Sequence, residues 1–74
     1  MPKNVIGPQL LELRKQLHVT QQDLSARLQV QGLNIDQAMI SRIEKGERPV
    51  TDYELVAIAK ALKVSSTELL GDEV

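Results

Sequence analysis

Gln37, Ser41 and Arg42, followed by Lys45 and Arg48, gather hydrogen-bonding and cationic side chains into one short stretch of the chain. Arginine can bond bidentately to guanine and glutamine to adenine, while lysine or arginine neutralises a phosphate. These residue types therefore suit recognition of a nucleic acid. Catalysis is served poorly by contrast. His18 is the only histidine and cysteine is absent, so no set of nucleophile, base and orienting group can be assembled. His18 instead suits a helix end, where a cation is favoured. One histidine with scattered carboxylates is also a poor transition-metal site. Neither an enzyme, a metal, a cofactor nor a small-molecule substrate is expected.

The composition narrows the class further. Seventy-four residues lie near the lower limit for a chain that folds on its own core, and 42% apolar residues suit a globular domain. The lack of cysteine removes disulfides and fits a reducing compartment. No apolar run is long enough for a membrane span or a signal-peptide core, so a soluble cytoplasmic protein, nucleoid-associated and of bacterial or phage type, is expected. Tyr53 is the only aromatic residue, so the stacking platforms that hold single strands cannot be built. Double-stranded DNA is the favoured partner. The net charge of −1 is unevenly spread. Residues 1–50 carry seven basic groups against five acidic ones, and residues 51–74 carry two against five. A DNA-facing front half and an acidic rear half reconcile the average with the local pattern.

The elements that must position these residues announce their starts. An apolar residue, a capping residue and a second apolar residue four places after the cap recur as Val19–Thr20–Leu24, Ile35–Asp36–Ile40, Val50–Thr51–Leu55 and Val64–Ser65–Leu69. Each is a hydrophobic staple around an N-cap. Asp23, Glu54 and Glu68 follow their caps by three, and Thr51/Glu54 and Ser65/Glu68 form full capping boxes. A further helix opens at Gly7–Pro8, with Leu10, Leu13 and Leu17 along one face. Gly32, Gly46 and Gly71 supply stops, and Pro49 bars a helix across its loop. The expected architecture is all-α, with five helices at about 8–17, 21–31, 37–45, 52–62 and 66–70 in one domain spanning 1–74. Leu24, Ser25, Leu28, Ile40, Ile43, Leu55, Ile58, Ala59 and Leu62 should face inward. Gln37, Ser41 and Lys45 then form an outward stripe at i, i+4, i+8, with Ala38 and Arg42 beside it.

The segments Ile6–Gly7 through Leu13–Arg14, Thr20–Gln21–Gln22–Asp23–Leu24, Ile40–Ser41–Arg42–Ile43–Glu44–Lys45–Gly46 and Ile58–Ala59–Lys60–Ala61–Leu62–Lys63–Val64–Ser65 resemble the lambda-repressor-like helix-turn-helix family. They look most like its xenobiotic-response-element-type regulators. The resemblance runs from about Val5 to Leu70. It implies a compact five-helix bundle whose third helix enters the major groove of duplex DNA. By the same resemblance, Gln37, Ala38, Ser41 and Arg42 would face bases, and Gln21, Lys45 and Arg48 would contact phosphates. Arg14 and Glu44 match a pair that forms a partly buried salt bridge between the first and third helices. One departure stands out: the interval from Leu28 to Ile40 is longer than usual, with Gln29 in place of a glycine and Asp36 in place of a serine or threonine cap.

The expected function is a transcriptional regulator of the repressor kind that binds DNA as a homodimer. Its dimer surface is expected on the fourth and fifth helices, with Leu69 and Leu70. The competing reading is a protein-interaction or antitoxin-type module on the same fold, suggested by the acidic rear half and by Leu11, Val30, Leu33 and Val56.

Overall fold

The computed structural model describes residues 1–71. It contains α1 (Gly7–Gln16), α2 (Gln21–Val30), α3 (Gln37–Glu44), α4 (Asp52–Leu62) and α5 (Ser66–Leu70), with no strand among the described residues. The architecture is all-α, five short helices, as the sequence leads one to expect. None of these helices is long and apolar enough to cross a membrane.

Capping oxygens fix where four of the helices begin. Thr20, Asp36, Thr51 and Ser65 accept hydrogen bonds from the backbone N–H groups of Asp23, Met39, Glu54 and Glu68. Three of these caps are reciprocated by the acid three residues on. Asp23 is one of them: its shorter carboxylate still reaches the Thr20 N–H at 3.1 Å. Met39 occupies the same position in α3, so the start of α3 has a single cap bond.

Helix ends follow a second rule, in which a residue in the left-handed conformation lets two later N–H groups satisfy the last carbonyls. Gly32 (φ +85°) ends α2 this way: its N–H bonds to the Gln29 carbonyl, and the Leu33 N–H bonds back to the Leu28 carbonyl. Leu33 is thereby folded against the core rather than left free for a partner. Gly46 ends α3 in the same manner. His18 and Lys63 do this for α1 and α4 although neither is glycine. Ending α1 at Gln16 leaves Leu17 43% exposed, so only Leu10 and Leu13 of the expected leucine stripe enter the core.

The core is entirely aliphatic. Leu10, Leu24, Leu28, Ile40, Ile43, Ile58 and Leu69 are its largest fully buried side chains. Leu69 therefore belongs to the interior and is unavailable to a dimer surface, while Leu70 lies half-buried against the core. The expectation of Leu69 on an outer face fails because α5 is a single short turn whose one inward residue plugs the space between α1 and α4. α3 packs on α1 and α2, and α2 on α4, so α3 has a scaffold on one side only. Arg27 and the C-cap residue Gln31 tie α2 to the second half of α4 by donating to the Ala61 and Ala57 carbonyls, both at 2.9 Å.

Candidate nucleic-acid interface

α3 buries Ile40 and Ile43 completely, which turns its other side to solvent. Gln37, Ala38, Arg42 and Lys45 are exposed on that side, and Ser41 is half-buried at its margin. Gln21, at the first position of α2, stands beside them and shares a shallow cleft with Asp36, Gln37, Ala38 and Ser41. Neither Arg42 nor Lys45 holds an ion pair among the described residues.

The scaffold behind this face is a connected polar chain. Arg14 Nε lies 2.7 Å from Glu44 Oε2, and a second guanidinium nitrogen donates to Glu44 Oε1 at 3.1 Å. The same guanidinium donates to the Val19 carbonyl at 3.0 Å, which anchors it to the turn between α1 and α2. Gln21 Nε2 also donates to Glu44 Oε1, at 2.9 Å, and Gln37 Nε2 approaches Gln21 Oε1 at 3.4 Å. Only 13% of the Arg14 side chain and 6% of that of Glu44 remain exposed. This pair belongs to the structure that aims α3.

At the opposite end, the hydroxyl of buried Ser25 donates to the Ile35 carbonyl at 2.8 Å. Ser25 thus fixes the last residues of the turn before α3. Such a short α2 and α3, joined by residues 31–36 and presenting the second helix outward, form a helix-turn-helix. A helix-turn-helix family model matches residues 10–69. The chain belongs to the helix-turn-helix family. Searches of curated proteins and of solved structures gave no match. The family is one of DNA-binding domains, so the exposed side of α3 is its candidate nucleic-acid interface.

Within this helix-turn-helix domain Arg48 is placed differently from Lys45. It sits in the loop after α3 and forms a bidentate pair with Glu54 at the start of α4, with both contacts at 3.1 Å. The hydrogen bond from Arg48 holds the Glu54 carboxyl below its ordinary range, and the Thr51 backbone N–H adds to this. Glu54 in turn raises the Arg48 pKa. The charge of this guanidinium is already met by a carboxylate, whereas Lys45 has no ion-pair partner among the described residues. Asp23 is also held low, first by the Thr20 backbone N–H, then by the Thr20 hydroxyl and the charge of Arg27.

Sequence reasoning passed over Asn4 and the Glu54 partnership of Arg48. A signal for Asn4 existed: asparagine shortly before a helix start is a preferred capping residue.

Proposed function

We propose that this domain is a sequence-specific repressor that inserts α3 into the major groove of double-stranded DNA. The observation that carries the reading is the side of α3 bearing Gln37, Ala38, Ser41 and Arg42, open to solvent while Ile40 and Ile43 are locked in the core. In this reading Gln37 and Arg42 donate to base edges, Ala38 supplies an apolar surface for a thymine methyl group, and Ser41 bonds at the margin. Lys45 contacts phosphate beside the helix end. Gln21 uses its second amide hydrogen, the one not given to Glu44, for a phosphate at the start of α2. Arg48 shapes the loop through Glu54 and keeps N–H donors beside that pair for a phosphate. Occupying the groove excludes other proteins from the same site, which is the repressor action.

One eight-residue helix offers few base contacts, so recognition calls for a homodimer on an inverted repeat with half-sites about one DNA turn, roughly 34 Å, apart. With Leu69 in the core, Tyr53 and Val56 on the outer side of α4, exposed by 71% and 46%, are the apolar residues offered for pairing. The turn at residues 31–36 carries Asp36 close to the interface, where its carboxylate would repel a phosphate.

Selection from a random duplex library, followed by binding measured across a salt series, tests the reading. A selected sequence bound with strong salt sensitivity supports it. Failure to enrich any duplex, or binding indifferent to salt, would shift the function to the protein-interaction module, with exposed Leu17, Val30 and Val56 as its contact residues.

A further inference from the structure

Asn4 makes four hydrogen bonds with one side chain. Its Oδ1 accepts from the Ile6 N–H at 3.0 Å and the Gly7 N–H at 2.8 Å, capping α1. Its Nδ2 donates to the Ile43 carbonyl at 3.0 Å and the Arg48 carbonyl at 2.8 Å. Both amide hydrogens and the carbonyl oxygen are therefore used. These bonds join the start of α1, the last turn of α3 and the loop that follows it. The neighbouring Lys3 N–H adds a bond to the Gly46 carbonyl at 2.8 Å.

The fit around this joint is close. A Cβ atom on Gly7 would lie 2.6 Å from the Ile43 carbonyl oxygen and 2.8 Å from that of Glu44. Nothing but glycine lets α1 start against the end of α3. The Asn4 amide and the bare Gly7 backbone together fix the separation of the two helices. α3 is thus held at its amino end through Ile35 and Asp36, and at its carbonyl end through Asn4 beside the Glu44 contacts to Arg14 and Gln21.

We propose that Asn4 is a positioning residue for DNA recognition, acting through α3 without touching DNA. The inference rests on the DNA-binding reading above. Base contacts need their side chains held to within about 0.5 Å and about 10–20° of a productive geometry. Without the Asn4 donors the carbonyl end of α3 keeps its Glu44 contacts to Arg14 and Gln21 but loses its ties at Ile43 and Arg48, which lets the helix tilt slightly about its capped start and displaces Arg42. A phosphate contact made by a long, flexible lysine tolerates the same tilt. Loss of the Asn4 donors therefore erodes base discrimination while the electrostatic part of binding persists.

Two substitutions isolate those donors. Asn4→Ser keeps an oxygen for the Ile6 and Gly7 N–H groups, and Asn4→Asp keeps the shape; both lose the bonds to Ile43 and Arg48. The readout is the ratio of affinities for a duplex selected by the wild-type protein and for a scrambled duplex of equal length. Partial unfolding lowers both affinities by the same factor, so a merely structural role leaves the ratio unmoved. The expected result is a ratio reduced by roughly fivefold or more, the low end for one lost base contact, with the salt slope retained. A ratio within about twofold of wild type in Asn4→Ser, the variant that keeps the cap, overturns the inference. Should the wild-type protein itself select no duplex, the DNA-binding reading fails in that arm, before any variant is compared.

Discussion

Gln21 Nε2 lies 2.9 Å from Glu44 Oε1, so the first residue of α2 and the last residue of α3 share a carboxylate that Arg14 already holds from α1. Three helices meet at one acid. The carboxylate is nearly buried, and its two oxygens accept three hydrogen bonds. Removing it would leave the Arg14 guanidinium, itself only 13% exposed, without its partner. Glu44→Ala should therefore cost about 2–4 kcal/mol, somewhat under the penalty for stranding a wholly buried charge. In a domain of this size that lowers the melting temperature by roughly 10–25 °C. Thermal denaturation followed by circular dichroism checks it, with Arg14→Met/Glu44→Met as the comparison. The double variant should recover part of the loss, because no charge is left without a partner.

Gly7→Ala makes a contrary pair of expectations compete. Helix propensity alone says that alanine inside a helix should stabilise by up to about 1 kcal/mol. The added methyl group would meet the Ile43 and Glu44 carbonyl oxygens at 2.6 and 2.8 Å, and both are backbone atoms that cannot swing aside. Overpacking of this kind costs about 1–3 kcal/mol, so the net sign is destabilising. A rise in the chemical-denaturation midpoint of Gly7→Ala would show that α1 and α3 are free to separate, which the Asn4 joint argues against.

The helix starts were legible because capping is local. Thr20, Asp36, Thr51 and Ser65 act through bonds within four residues of sequence, and no distant partner is needed to see them. The inward and outward sides of α3 were legible for the same reason: Ile40 and Ile43 set the phase of a regular helix. Contacts spanning the chain were not. Asn4 reaches Ile43 and Arg48, thirty-nine and forty-four residues away, and nothing in its neighbourhood announces those carbonyls. The ends of α1 and α4 were placed to within a residue, but the left-handed stops at His18 and Lys63 were not legible, because glycine is only the cheapest residue for that conformation. There the returning N–H bonds and the burial of Val19 and Val64 against the core outweigh the strain. Leu69 was misplaced because a five-residue helix is too short for periodicity to distinguish its faces.

Glu54 should give the domain a measurable acid dependence. Its folded-state pKa is depressed, chiefly by Arg48, so the unfolded chain binds the proton more readily. The resulting stability is fully present above the ordinary glutamate pKa of about 4.3 and is lost as pH falls through the lower, folded value. The pair is partly exposed and water screens it, so its contribution is held to about 1 kcal/mol or less. Glu54→Gln should melt below the wild type at neutral pH, and the gap should close as the solution is acidified below about pH 4. A gap that stays constant from neutral pH into acid would mean that the Arg48–Glu54 charge pair adds nothing beyond its hydrogen bonds.

Arg42 and Lys45 are three residues apart on the same exposed side of α3, and neither has an ion-pair partner among the described residues, yet they should fail differently. Arg42 lies one turn after Gln37 and Ala38, where in the proposed docking a side chain would reach the floor of the groove. Lys45 follows the helix end, where the chain turns away at Gly46 and the DNA backbone would pass. Arg42→Ala should relax the preferred base at one position of each half-site, at a cost of about 1–3 kcal/mol confined to the selected duplex. Lys45→Ala should weaken selected and scrambled duplexes alike and lower the slope of log K against log salt by about 0.9. Fluorescence anisotropy on both duplexes across a salt series separates the two outcomes. Equal losses from both substitutions on both duplexes would assign Arg42 to the backbone and leave Gln37 and Ser41 as the side chains that read sequence.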